Sequence, residues 1–307
     1  MASIRRVAVV GSGAVGGYYG CLMARAGAEV HFLLRSDYDA VARDGWQVKT
    51  PGGDFVVRPG QFHAHRSVET IPTPDLVLVA TKATSNAALP ALVRPLVGAD
   101  TAVLIVQNGL GGAEVLEEAV GARHVLTGLS FICSNRVGPG KIDHIGFGLI
   151  RFGTACTGSV RAPQDVAREL TALGLEVIAS PDIARERWAK LMWNVPFNGL
   201  GAAMDVSVDR LLVEPGLALV TRLMHEVMDT AGALGIRFDH REQIIAAQIE
   251  KTARMGPYRT SMQLDRREGR PLEREAILSR PLAVAKQHGV ATPVMEVVDA
   301  MVGAIAR

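Results

Sequence analysis

The 307-residue chain has few cysteines: Cys21, Cys133 and Cys156, an odd number with no C-x-x-C spacing. That argues against a disulfide framework or a zinc knuckle and suits a reducing compartment, with all three thiols read as small buried hydrophobes. Net charge is also nearly absent, since 33 Lys+Arg face 31 Asp+Glu and leave +2. With no basic block either, a nucleic-acid partner is disfavoured. No stretch of about 18 uninterrupted apolar residues is present, so no membrane partner is expected. The start has a signal-like look, with Arg5 and Arg6 before an apolar stretch, and Gly16 and Gly20 share the G-x-x-x-G spacing of membrane helix pairs. Five glycines between Gly11 and Gly20 make a poor helix for lipid. The reading is a cytoplasmic protein.

What is present is ordinary globular material, 48% hydrophobic and 21% charged, long enough for about two domains. Arg6 to Val10 is a valine-rich run ending in glycine, a buried strand, followed by a helical stretch from Ala14 to about Gly27 and a strand from Glu29 to Leu34. Pro51, Gly52, Gly53 and Asp54 mark a hairpin within 46–58. Asp75 to Ala80 and Thr101 to Val106 read as further buried strands, with helical stretches near 85–97 and 112–120. Added antiparallel strands are expected from Val125 to Gly153, then a helix from Pro163 to Leu173 and a strand from Leu175 to Ile178. Such alternation implies a mainly parallel sheet with crossover helices. After Pro181 the pattern is helical, near 182–204, 215–235, 239–254 and 271–289. The expected organisation is an α/β domain over 1–180 and an all-α domain over 181–307, and a cleft between such domains is a usual place for a ligand.

The first strand runs into Gly11-Ser-Gly13-Ala-Val-Gly16, a G-x-G-x-x-G loop that opens a helix. Gly11 serves the tight turn, Gly13 the approach of a pyrophosphate and Gly16 helix–strand packing, while the helix N-terminus supplies amide donors. Gly11, Ser12, Gly13, Ala14, Val15 and Gly16 are therefore candidate cofactor contacts. The second strand ends in Arg35 and Ser36, where an NAD site usually carries Asp or Glu. A guanidinium fork suits a 2′-phosphate, Ser36 can add a donor, and the expected cofactor is NADP(H). Lys82 and Asn108 fall just past strand ends, where ligands of open α/β sheets sit.

The helical half opens with Lys190, Asn194 and Asn198 at i, i+4 and i+8, one stripe of a helix among Leu191, Met192, Trp193, Val195 and Phe197. A polar stripe in such surroundings needs partners, which a polar ligand can supply; the alternative is a solvated edge of an amphipathic helix. Pro196 removes an amide and is expected to kink the helix or end it early.

Together these segments resemble the ketopantoate reductase (2-dehydropantoate 2-reductase) family along essentially the whole chain. The resemblance rests on the glycine loop through Gly17, the Arg35 strand end, Thr81-Lys82-Ala83, Gln107-Asn-Gly-Leu-Gly111 and Trp188 to Asn198. It continues through Thr260-Ser-Met262, Gly269 to Glu273 and His288 to Pro293. It implies a Rossmann-type dinucleotide-binding domain and an all-α domain like the C-terminal domain of 6-phosphogluconate dehydrogenase. It also implies reduction of the 2-oxo group of 2-dehydropantoate to (R)-pantoate by NADPH, a step towards pantothenate and coenzyme A. Lys190 would then donate the proton, with Asn194, Asn198 and Ser261 holding the substrate. Asn108 would lie where nicotinamide and substrate meet, Lys82 and Ser134 near the cofactor, and Glu273 on the cofactor or its ribose. An exposed lysine, with a pKa near 10.4, is protonated at pH 7 as an acid must be.

The chain departs from the family pattern at Gly199 to Ala203, at Val208 and at Arg274-Glu275. These departures leave open a different 2-oxo acid, and fold alone leaves open a regulator that binds the dinucleotide without turnover. A homodimer is also left open. His31, His63 and His65 lack metal-ligand spacing and read as structural or surface residues, so no metal is expected.

Overall fold

The computed structural model describes residues 3–306. They form two compact units: residues up to Gln107 with Gly112–Ile183, and the segment Asn108–Gly111 with the residues from Ala184 onward.

The first unit is built on one ten-stranded sheet. In chain order its strands are β1 (Arg6–Val10), β2 (Glu29–Leu33), β3 (Trp46–Lys49), β4 (Phe55–Val57) and β5 (His63–His65). They continue with β6 (Leu76–Val79), β7 (Ala102–Ile105), β8 (Val125–Gly138), β9 (Lys141–Gly153) and β10 (Val177–Ala179). Their order in the sheet is β4-β3-β9-β8-β7-β6-β1-β2-β5, with β10 alongside β9. The run β8-β7-β6-β1-β2-β5 is parallel throughout. Chain order reverses at β1, so the carboxyl ends of β1, β2, β6 and β7 share one end of the sheet.

Strands buried on both faces read as unbroken apolar runs. Val7, Val9, Leu76, Leu78 and Leu104 join one core, whereas Ala8, Val10, Val77, Val79, Val103 and Ile105 join the core on the other face. The glycines of the helix Ala14–Arg25 let it sit low on the first of these cores. A Cβ at Gly17 would meet Ile142 at 2.7 Å, and one at Gly20 would meet the Phe32 ring at 2.3 Å. The G-x-x-x-G pattern is thus a packing face inside a globular unit, and no helix among the described residues is long and apolar enough to cross a membrane.

The region 85–97 is no single helix but 3-10 turns (Ala83–Ala88 and Arg94–Leu96) around a five-residue α-helix, Leu89–Val93. Pro90 and Pro95 deny the amides a longer helix needs. The expected antiparallel strands from Val125 to Gly153 are present as β8 and β9, paired through bulges. The edge strand β5 has no counterpart in the sequence pattern.

The second unit is helical, with its own core from Trp188 to Val302. Its helices are Ile183–Met204, Val208–Leu211, Gly216–Ala233, Arg241–Ala253, Ser261–Arg267, Arg280–Gln287 and Pro293–Ile305. A single π turn, Glu275–Ser279, precedes Arg280–Gln287. The first helix runs 22 residues straight through Pro196, which does not end it. Proline in a helix interior costs about 3 kcal/mol through the lost hydrogen bond and the ring clash together; here its neighbours Val195 and Phe197 are completely buried, which favours keeping the helix in place. The last helix was missing from the sequence reading because its cap lies far away. The buried Glu226 carboxylate accepts from the amides of Val294 and Met295 at 3.0 and 2.8 Å.

Candidate active site

In the first unit, the turn after β1 is forced by the groups around it. Gly11 has φ +95°, and a Cβ there would lie 2.4 Å from the Thr81 amide; one at Gly16 would lie 2.4 Å from the Gly11 carbonyl. At Gly13 a Cβ would meet nothing within 4 Å. Two glycines of the loop are therefore fixed by protein packing, whereas Gly13 borders open space.

The helix that follows has no side chain capping its N-terminus and no acidic residue in its first turn. The amides of Ala14, Val15 and Gly16 have no intrahelical acceptor, the condition for holding an anion. The Ser12 hydroxyl donates to the Leu33 carbonyl at 3.0 Å, tying the loop to the end of β2. Ser134, on β8, donates to the Ala14 carbonyl at 3.3 Å, so it borders the same helix start.

Arg35 is exposed, two residues past β2. The Ser36 hydroxyl donates to Asp37 at 2.9 Å, so its proton is already committed. Asp37 is buried and paired with Arg136, which anchors the segment that carries Arg35. Lys82 is exposed just past β6. Sequence reasoning missed Gln107, whose amide donates to the Thr81 hydroxyl at 2.8 Å and links the ends of β6 and β7. Its position beside Asn108-Gly109 was the available signal.

In the second unit Lys190 is half-buried, not exposed as the sequence reading assumed. Its ammonium donates to Asn108 Oδ1 at 2.9 Å, and Asn108 Nδ2 approaches Glu273 Oε2 at 3.4 Å. Burial pulls the lysine down to about 8, with the nearby Glu273 charge opposing the shift. It remains mostly protonated at pH 7. Asn108 reaches this unit because its segment packs there: the Leu110 amide donates to the Ala276 carbonyl at 2.9 Å, and a Cβ on Gly109 would strike that carbonyl at 2.3 Å.

Asn194 and Asn198, one and two turns on, are only 4% and 2% exposed, so the reading as a solvated edge fails. Asn198 Nδ2 donates to Asn194 Oδ1 at 3.2 Å. Asn198 Oδ1 accepts from the Met262 amide at 3.2 Å and the Ser261 hydroxyl at 3.4 Å. Asn194 Nδ2, by contrast, is buried with no acceptor. Leaving such a donor unpaired costs about 1–3 kcal/mol.

The departures from the family pattern are occupied with packing. Gly199 faces Val298, where a Cβ would come within 2.7 Å, and Val208 is buried in the helical core. Arg274 makes a forked pair with Asp299 at 2.9 and 2.7 Å, and Glu275 pairs with Arg280.

Residues 7–156 match the family model described as ketopantoate reductase PanE/ApbA, and residues 182–306 match its C-terminal counterpart. A 2-dehydropantoate 2-reductase of Nostoc sp. is 40% identical over 295 residues, covering 94% of this chain and 91% of its own. The crystal structure of 2-dehydropantoate 2-reductase from Geobacter metallireducens superposes with a TM-score of 0.91 at 39% identity, covering 97% of this chain and 99% of that one. A D-mandelate dehydrogenase, solved with NADH and anilino(oxo)acetate, shares the fold with a TM-score of 0.89 at 23% identity, covering 98% and 97%.

Proposed function

Since the chain belongs to the ketopantoate reductase family, an oxidoreductase family, we propose that it reduces the 2-oxo group of 2-dehydropantoate to (R)-pantoate with NADPH. The observation that carries this reading in the chain itself is the orphaned amide of Asn194, one helical turn from the Lys190 ammonium. A buried donor without an acceptor, beside a proton donor, suits a ligand rich in oxygen acceptors, which a 2-oxo acid is.

The residues of the first unit fit the cofactor. Gly13 leaves room where the pyrophosphate would approach, and the amides of Ala14, Val15 and Gly16 have no intrahelical acceptor and no side-chain cap. The exposed Arg35 offers its fork to a 2′-phosphate. Lys82 and Ser134 complete the set on this unit. When bound, NADPH supplies the hydride that adds to the 2-oxo carbon.

In this reading Lys190 stabilises the negative charge that develops on the oxygen and then protonates it. Asn108 accepts from the ammonium and aims it, in contact with Glu273. Asn194 Nδ2 donates to the substrate, with the Ser261 hydroxyl beside it. Asn198 has its oxygen occupied by two donors of the chain, which makes it a positioning residue for Asn194 and Ser261. Biosynthesis at the expense of NADPH suits the cytoplasm, as do three free thiols.

The test is NADPH oxidation against a panel of 2-oxo acids. The expected result is a clear maximum in kcat/KM for 2-dehydropantoate. A maximum on another oxo acid refutes the substrate, and NADPH binding without turnover on any of them refutes the enzyme.

A further inference from the structure

Away from these residues, the edge of the sheet carries a cluster that the sequence spacing concealed. Parallel pairing of β2 with β5 sets His31 opposite His63 and Leu33 opposite His65. In a strand, residues two apart share a face. Glu29 and His31 of β2 therefore meet His63 and His65 of β5 on one side of the sheet. One donor atom each from Glu29, His31 and His63 lie within 4.8 Å of one another. The rings of His31 and His63 stack with centroids 4.6 Å apart.

The hydrogen bonds behind this cluster run in a definite direction. The Thr70 hydroxyl has one proton and gives it to the Ser67 carbonyl at 2.9 Å. Its oxygen therefore accepts from His65 Nδ1, at 2.7 Å. A neutral His65 then carries a lone pair on Nε2, which accepts from His31 Nδ1 at 2.9 Å. A neutral His31 is left with a lone pair on Nε2, and that atom faces Glu29 Oε1 at 3.0 Å. Either a proton on Nε2 or a metal ion closes this contact, and only a metal ion can take the His63 ring nitrogen as well. His31 is only 3% exposed, so water has little access to its ring. Arg6 also donates to Glu29 Oε1, at 3.0 Å.

We propose that Glu29, His31 and His63 form a binding site for a divalent transition-metal ion of the zinc class, with His65 and Thr70 as the hydrogen-bonded shell that fixes the His31 tautomer. Two imidazoles and a carboxylate are a ligand set that zinc accepts, with a fourth position left to water. Zinc holds nitrogen ligands at about 2.0–2.1 Å, so tetrahedral ligand atoms sit roughly 3.3 Å apart; binding therefore requires the exposed His63 to turn out of its stack on His31 and the partly exposed Glu29 to turn with it. A metal-bound histidine that donates its other ring N–H to a fixed acceptor is the arrangement expected of such sites. The ion would clamp the three-residue edge strand β5 onto β2.

The test uses the whole protein, stripped by chelation and dialysis, with zinc alone as the probe and magnesium as the control. One zinc ion per chain is expected, with a raised Tm, no magnesium effect, and an X-ray absorption spectrum showing nitrogen and oxygen ligands with two imidazoles. His63→Ala should fold as the parent does and bind zinc at least ~10-fold more weakly, and Thr70→Val should weaken it several-fold. Equal binding by parent and His63→Ala, sulfur in the spectrum, or no saturable binding overturns the proposal. So does an NMR signature of a proton on His31 Nε2, between it and Glu29, that zinc does not displace.

Discussion

At the carboxyl end of β1 the groups offered to a ligand are backbone amides, set by where glycine must be. Along the helix Ile183–Met204 they are side chains, set by where burial leaves polarity uncompensated. The first arrangement costs little in the empty protein, because water reaches the open space beside Gly13. The second is strained in solvation: Lys190 is held at about 8 and Asn194 keeps a donor without an acceptor. Loss of a loop contact should therefore read mainly as affinity, whereas change in the stripe should reach the rate.

The largest expected effect is from Lys190→Ala. Removing a positioned acid should lower kcat about 10³-fold, while the Kd for NADPH stays within about twofold, because no phosphate contact is lost. Stopped-flow reduction and equilibrium fluorescence measure the two separately. Parallel losses in both would erase the contrast between the regions.

Next comes Asn194→Asp, which keeps the oxygen that accepts from Asn198 and replaces the orphaned donor with an acceptor. For an anionic oxo acid the KM should rise about 30-fold, roughly 2 kcal/mol, with NADPH affinity unchanged. An unaltered KM would mean that the orphan amide meets no substrate.

The pH profile tests the same stripe without mutation. If Lys190 is the proposed proton donor, it is protonated for reduction and deprotonated for the reverse oxidation. With its pKa pulled down to about 8 by burial, kcat/KM for reduction should be flat below that value and fall about tenfold per unit above it. The oxidation of pantoate should rise through the same pH. A limb near 10 would show that burial does not act on this lysine in the working enzyme.

These outcomes bear on what could be read without coordinates. Strands such as Leu76–Val79 were legible because double burial makes them apolar at every position, and the glycine loop because backbone chemistry demands glycine. Lys190, Asn194 and Asn198 were legible as a stripe through their spacing of four. What stayed hidden was tertiary. Nothing local shows that Asn108 packs with the helical unit, that Asn198 is consumed by the start of a helix 63 positions away, or that Glu226 caps the last helix. The departures at Gly199, Val208 and Arg274 looked like changes in substrate contacts, yet each is absorbed by packing or by a pair with Asp299.

On the first unit, Arg35→Ala should cut the preference for NADPH over NADH about tenfold, since a charged hydrogen-bond fork to the 2′-phosphate is lost. The NADH parameters should barely move, because the exposed guanidinium has no packing role. Equal losses with both cofactors would refute the phosphate assignment.

The smallest effect is the most discriminating, because it divides one loop into ligand-facing and packing positions. Gly13 has φ −87°, which alanine adopts, and open space where a Cβ would go. Gly13→Ala should therefore leave the Tm of the empty protein within about 1 °C, because no side-chain contact or backbone strain is added. It should weaken NADPH several-fold, because the methyl group occupies the approach of the pyrophosphate. Gly11→Ala should behave in the opposite order, with a Cβ 2.4 Å from the Thr81 amide and a backbone at φ +95°. Thermal unfolding of the empty protein should show its loss first, with affinity following only as the loop distorts. If both variants lost Tm equally and bound NADPH equally, the loop would be a packing turn throughout, and cofactor binding would have to rest on other residues.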